Sequence, residues 1–101
     1  MTSSSIKIDL TQLEHWHKES ERLHLIYIGF NDAPVWKGIQ AKSYASNEIP
    51  EIIDEIPEHA KTIVMCDWGE RSFFLCQELR ERTGNEAIYH LTGGSKTMLD
   101  S

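Results

Sequence analysis

The stretch that most constrains this chain runs from Thr62 to Arg82. Thr62-Ile63-Val64-Met65 is uncharged and largely β-branched or apolar, which reads as a buried strand. It ends in Cys66-Asp67-Trp68-Gly69-Glu70-Arg71-Ser72, and from Ser72 to Arg82 the apolar residues Phe73, Phe74, Leu75, Cys76 and Leu79 lie on a helical pattern. A strand, a tight loop and a helix in that order predict a βα unit. In open α/β sheets the binding crevice lies outside the carboxyl ends of the strands. A helix N-terminus adds unpaired N–H groups and the positive end of the helix dipole, a place that stabilises an anion. The group that this chain sets there is its own thiol.

The remaining segments fit the same plan. Asp9 is placed to cap a first helix, with Gln12 three residues on and Leu10, Leu13 and Trp16 at helical spacing. Leu23–Ile28 reads as a short buried strand ended by Gly29, and Asn31-Asp32-Ala33-Pro34 as a turn. Val35–Gly38 is read as a helical turn and Ser43-Tyr44-Ala45 as a short strand. Ile49, Ile52, Ile53 and Ile56 mark one helix face, with Asn47 as its cap, Pro50 in its first turn and Pro57 as its stop. Gly84 closes the helix after the loop, Ala87–Leu91 is a last strand, and Gly93-Gly94 makes a turn. Strands alternating with helices predict a parallel sheet covered on both faces.

With 101 residues, one domain is expected: residues 1–7 as a flexible tail and 8–101 as the folded unit. The net charge of −6, with no run of Lys or Arg, disfavours nucleic acid and anionic membranes as partners. No apolar run approaches the roughly 20 residues of a membrane span, and the Ser-rich start lacks the apolar core of a secretory signal. The two cysteines form neither a CxxC nor a disulfide framework, which points to a reducing, cytoplasmic setting. Cys76 lies on the apolar side of its helix and reads as core. Tyr89 and His90 read as packing residues of the last strand, and His15 and His17, two apart on a helix, as too divergent for a metal site.

A cysteine attacks only as thiolate. A loop whose amides converge on the sulfur favours that form; Gly69 gives such a loop its freedom, and Arg71 offers a fixed cation with a planar donor fork. Ser72 is placed to cap the helix or to donate to the sulfur.

Cys66-x-x-Gly69-x-Arg71-Ser72 resembles the active-site loop of rhodanese-like sulfurtransferases. The likeness extends over residues 8 to 98: Leu25-Ile26, the proline-bounded Ile49–Ile56 helix, Ile63-Val64-Met65-Cys66 and Ile88-Tyr89-His90-Leu91-Thr92-Gly93-Gly94 occur in the family's order. It implies an α/β, three-layer fold, with a mostly parallel central sheet of about five strands and helices on both faces. It also implies catalysis by Cys66 and Arg71, with Asp67, Trp68, Gly69, Glu70 and Ser72 lining the substrate. Cys66 would take the outer sulfur of a donor such as thiosulfate, hold it as a persulfide and pass it to a thiol or protein acceptor, with ping-pong kinetics. No metal or organic cofactor is implied, and a monomer or weak dimer is expected. The six residues from Cys66 to Arg71 make a loop one residue shorter than that of the related Cdc25-type phosphatases, a width that suits sulfur rather than phosphate.

The chain departs from that family at several places. Tyr27 and Gly29 stand where an Asp-x-Arg is usual, Gly38-Ile39-Gln40-Ala41-Lys42 replaces a His-Ile-Pro-Gly-Ala stretch, and Met98 replaces a tryptophan after the Gly-Gly; the chain then ends, so a final helix is expected to be missing or very short. Asp67 and Glu70 set two carboxylates beside Arg71, which opposes a dianionic donor and disfavours the thiolate. The expected donor is therefore a protein persulfide or a neutral thiol-borne sulfur. The alternative reading is a catalytically weak binding or regulatory module on the same fold.

Overall fold

The computed structural model describes residues 6–29, 31–45, 47–67 and 70–99, the side chains of Glu70 and Leu99 excepted. In chain order the elements are β1 (Lys7–Ile8), α1 (Leu10–Lys18), β2 (Leu23–Ile28), β3 (Val35–Trp36), β4 (Ile39–Gln40), β5 (Lys42–Tyr44), α2 (Ile49–Glu55), β6 (Lys61–Cys66), α3 (Glu70–Thr83), β7 (Ile88–Leu91) and α4 (Lys96–Leu99). Five of the strands form one sheet in the order β1-β7-β6-β2-β5, and every neighbouring pair is parallel. The expected α/β sheet is present, and its most deeply buried strand, β6, lies at its centre.

Alternation along the strands divides the core in two. Leu25, Tyr27, Ile63 and Met65 pack with Leu13 of α1, Trp36, Leu91 and Met98. Ile26, Ile28, Val64 and Cys66 pack on the other face with Ile52 of α2 and with Leu75, Cys76 and Leu79 of α3. Each such fully buried aliphatic side chain contributes about 1.5–3 kcal/mol relative to exposure. Cys66 thus points to the α2/α3 face because it is in step with Val64. Met98 closes the opposite core from the four-residue α4, the very short final helix expected.

Local chemistry explains where the elements begin and stop. Asp9 caps α1, its Oδ1 accepting from the Gln12 amide at 2.9 Å. Pro57 forces Ile56 into extended backbone, with ψ 119°, and so ends α2. Asn47 is not the cap of α2: Glu48 holds that position without a side-chain cap bond, and its carboxylate instead accepts from the Ala45 amide.

Three further expectations need correction. Val35–Gly38 is not a helical turn but the first arm of an antiparallel hairpin, β3–β4. Lys37 and Gly38 both have positive φ, 49° and 82°, the pairing that a tight two-residue hairpin turn requires. The stretch read as a tail contributes to the sheet: Lys7 pairs with His90, and the Ile6 carbonyl accepts from the His90 amide at 2.7 Å. Residues 1–5 lie outside the described residues. Finally, α3 begins at Glu70 rather than Ser72, so Ser72 lies within its first turn and is not its cap.

The half-buried His24, at the start of β2, has a pKa held below the ordinary value by burial, with Glu55 opposing and Lys42 reinforcing that effect. Its Nε2 is buried and has no hydrogen-bond partner among the described residues. Above the unfolded histidine's ordinary value neither state holds the proton. Below it the unfolded chain binds more protons, and stability falls until the folded-state value is also passed. The urea midpoint is therefore expected to drop between pH 7.5 and pH 5, and His24→Gln to flatten that drop. An equal slope in the variant would contradict this.

Candidate active site

The carboxyl ends of β2, β6 and β7 lie together, with Ile28 beside Cys66 in the register. Cys66 is the last residue of β6 and is only 5% exposed. Its Sγ faces Ser72 Oγ at 3.5 Å. That contact exists because α3 starts two residues earlier than its apolar pattern predicts. With Glu70 and Arg71 already helical, Ser72 turns inward onto the sheet instead of standing at the helix end. Ser72 is fully buried, and its Oγ also lies 2.8 Å from Nδ1 of His90. His90 is 4% exposed and sits on β7, next to β6 in the sheet. Thiol, hydroxyl and imidazole thus form a row from β6 through α3 to β7.

His90 was expected only to pack. A signal for it was present. Ile88 faces α3, so the period-two alternation of β7 places His90 on that same face, toward the carboxyl end of a strand that neighbours the cysteine's strand. Burial holds the His90 pKa below the ordinary value, and the Lys7 ammonium adds to that effect. The ring meets Phe73 edge-on at 5.6 Å between centroids, and Lys7 Nζ stands 5.0 Å from the Phe73 centroid.

Asp67, expected at the substrate rim beside Arg71, has its carboxylate taken up elsewhere. Tyr27 of β2 donates its hydroxyl to Asp67 Oδ1, and that hydroxyl in turn accepts from the Asn31 amide at 3.3 Å. Burial, followed by the Asp67 contact, raises the Tyr27 pKa, so the hydroxyl keeps the proton it donates. A Cβ at Gly29 would come within 2.6 Å of Tyr27 Cζ and 3.1 Å of Asp67 Oδ2. The Tyr27 ring occupies the space that a side chain at position 29 would need. Tyr27 and Gly29 are therefore one replacement, a buried hydroxyl tie from β2 to the residue after the cysteine.

Behind the loop, the Gly93-Gly94 turn presses on the same backbone. The Ser95 amide donates to the Cys66 carbonyl at 2.8 Å. A Cβ on Gly94 would overlap that carbonyl oxygen and approach the Asp67 carbonyl oxygen to 2.6 Å. Arg71 is exposed in the first turn of α3 and lines a groove of about 340 Å³ together with Ile49, Phe74, Leu75 and Glu78. Phe74 is 70% exposed there. Trp68, Gly69 and the side chain of Glu70 lie outside the described residues.

Cys76 is a free thiol, fully buried, donating to the Ile88 carbonyl at 3.4 Å. Burial pushes its pKa up to about 12, so it stays protonated and inert, the core role expected of it. Among the described residues no group of three His, Cys, Asp or Glu could hold a metal ion, and no helix is long and apolar enough to cross a membrane.

Several solved structures share this backbone. A rhodanese-related protein from Thermoplasma volcanium superposes with a TM-score of 0.66 at 16% identity, over 95% of this chain and 92% of the other. A rhodanese homologue from Thermus thermophilus does so with a TM-score of 0.60 at 17% identity, over 91% of this chain and 99% of the other. This chain has a rhodanese-like fold. A yeast protein tyrosine phosphatase of the rhodanese family matches with a TM-score of 0.71 at 16% identity, over 99% of this chain and 87% of the other. No protein-family model and no curated protein sequence matches the chain. The rhodanese-like fold places Cys66 and the start of α3 at the usual binding end of a parallel sheet.

Proposed function

We propose that this chain is a sulfurtransferase that carries sulfane sulfur as a persulfide on Cys66. The observation that supports this best is the Cys66 sulfur at the end of β6, facing the Ser72 hydroxyl in the first turn of the 14-residue helix α3. In the reaction the Cys66 thiolate attacks the outer sulfur of the donor. With thiosulfate, the donor's S–S bond breaks and sulfite leaves with the electron pair. An acceptor thiolate then attacks the outer sulfur of the persulfide, and Cys66 leaves as thiolate. Ser72 donates to whichever sulfur carries the charge. Arg71, at the rim, meets the oxyanion of an anionic donor or the acidic surface of a protein acceptor.

Glu70, directly before Arg71 in the sequence, adds a negative charge that favours a protein persulfide or a neutral thiol-borne donor over thiosulfate. The groove that Arg71 shares with Phe74 offers an acceptor protein an apolar contact next to the loop. Neither cysteine is in a disulfide, which suits a reducing, cytoplasmic setting in which the thiol persists.

The yeast neighbour, a protein tyrosine phosphatase, favours a second reading, phosphate-ester hydrolysis through a cysteinyl phosphate. The six residues from Cys66 to Arg71 argue against it, since a short loop leaves little room for a tetrahedral phosphate. Intact mass after incubation with thiosulfate, and separately with a persulfidated protein, tests both. A gain of one sulfur, about 32 Da, that is absent from Cys66→Ser, retained in Cys76→Ala and removed by dithiothreitol or cyanide is the expected result. No gain from either donor would overturn the sulfurtransferase. Cys66-dependent release of phosphate from an aryl phosphate would then support the phosphatase, and its absence a binding module.

A further inference from the structure

We infer that His90 is a positioning residue for the reactive thiol: it accepts the Cys66 proton through the Ser72 hydroxyl and holds that hydroxyl aimed at the sulfur. This deepens the reading of Cys66 as the reactive thiol and rests on it, but it is independent of which sulfur donor is used.

The row has the geometry of a two-step proton wire, 3.5 Å from sulfur to hydroxyl and 2.8 Å from hydroxyl to Nδ1. In the resting state the thiol donates to Ser72 Oγ, and the Ser72 O–H donates to Nδ1. When the proton moves, S–H breaks as a new O–H forms on Ser72, and the original Ser72 O–H breaks as N–H forms on Nδ1. The result is a thiolate that accepts from the Ser72 hydroxyl, which itself accepts from the imidazolium. The serine is unchanged and no other reagent is needed.

The surroundings make the two charges interdependent. His90 and Ser72 are almost wholly buried, and an isolated imidazolium there is disfavoured. Lys7, the strand partner from β1, opposes it further. Among the described residues, the groups that α3 places on this side are Ser72, the edge of Phe73 and, one turn on, Cys76, which stays a neutral thiol. From β6 the titrating neighbour is Cys66. The anion that compensates the imidazolium is thus the thiolate created by the same proton transfer, so the two groups titrate as a pair. A persulfide leaves the same arrangement in place, with the hydroxyl donating to the new anion.

Alkylation of Cys66 by iodoacetamide, followed by mass across pH 5.5–9, reads the thiolate without any sulfur donor. His90→Asn keeps a hydrogen-bonding group near Ser72 but cannot accept a proton, and Ser72→Ala breaks the wire. Both variants are expected to alkylate about tenfold more slowly at pH 6.5, equivalent to one pK unit, and to approach the wild-type rate at pH 9. As a second measurement, the His90 ring signals are followed by NMR in folded wild type and in Cys66→Ser. In wild type the His90 ring is expected to stay protonated through the alkylation midpoint and to lose its proton only at higher pH, and that step is expected to move to lower pH in Cys66→Ser. Wild-type reactivity with unchanged pH profiles in both variants, or a His90 titration insensitive to Cys66→Ser, would overturn the inference and leave Cys66 as the reactive thiol. A wild-type Cys66 that resists alkylation even at pH 9 would overturn both.

Discussion

Gly94→Ala is expected to be far more damaging than Gly38→Ala, although both glycines have nearly the same positive φ, 75° and 82°. The left-handed backbone alone costs an alanine about 1–2 kcal/mol. At Gly38 that is the whole cost, because a Cβ there meets nothing within 4 Å. At Gly94 the added carbon overlaps the Cys66 carbonyl oxygen and comes within 2.7 Å of the Asp67 carbonyl carbon. Backbone atoms cannot rotate away as a side chain does. The turn must move off β6, and the bond from the Ser95 amide to the Cys66 carbonyl goes with it. The expected loss is therefore about 3 kcal/mol or more for Gly94→Ala against about 1–2 kcal/mol for Gly38→Ala, read from urea midpoints. Because the displaced carbonyl belongs to Cys66, alkylation of that residue should change in the first variant and not in the second. Equal losses would mean that the turn is not braced against the loop.

That brace shows where the sequence was informative. The βα unit around Cys66 was legible because β6 is central: a strand covered on both faces is apolar along the part it buries, as Ile63 to Cys66 are. The isoleucine face of α2 and the Asp9 cap were legible because periodicity and capping are local. The hairpin of β3 and β4 was not, because its arms are two residues each, too short to show alternation, and its turn uses Lys37 in a left-handed conformation that lysine rarely adopts. β1 was hidden for a related reason. Lys7-Ile8 has no pattern of its own and is a strand because β7 offers an edge.

The site divides in the same way. Cys66, Arg71 and Ser72 are consecutive enough to be read as a motif, but the role of Ser72 depended on where α3 starts. Its inward turn follows from a shift of two residues that the apolar pattern did not mark. His90 and Tyr27 come from other strands, 18 residues after Ser72 and 40 before Asp67, so only the register of the parallel sheet brings them to the thiol and its neighbour. Face and strand end could be assigned from alternation; which strand lies beside which could not.

The Tyr27–Gly29–Asp67 unit leads to the second large effect. Gly29→Ala should cost about 1–3 kcal/mol, the range for overpacking a filled site, since the new methyl meets the Tyr27 ring and the ring is fully buried between α1 and the sheet. Tyr27→Phe should cost about 1.5–3 kcal/mol if Asp67 is left as a carboxylate without its donor. The two losses should not add. Once the methyl at position 29 has pushed the ring aside, the hydroxyl no longer reaches Asp67, and removing it costs little. Urea midpoints of the two single variants and the double variant measure that coupling, and strict additivity would mean that ring and glycine act separately. The functional consequence runs in one direction. With Tyr27 gone, the Asp67 carboxylate is released next to the thiol, where a nearby negative charge disfavours the thiolate. Tyr27→Phe should therefore slow Cys66 alkylation at pH 7 while leaving the rate at pH 9 close to wild type. A buried hydroxyl on a neighbouring strand would then be what allows this loop to carry an acidic residue directly after its cysteine.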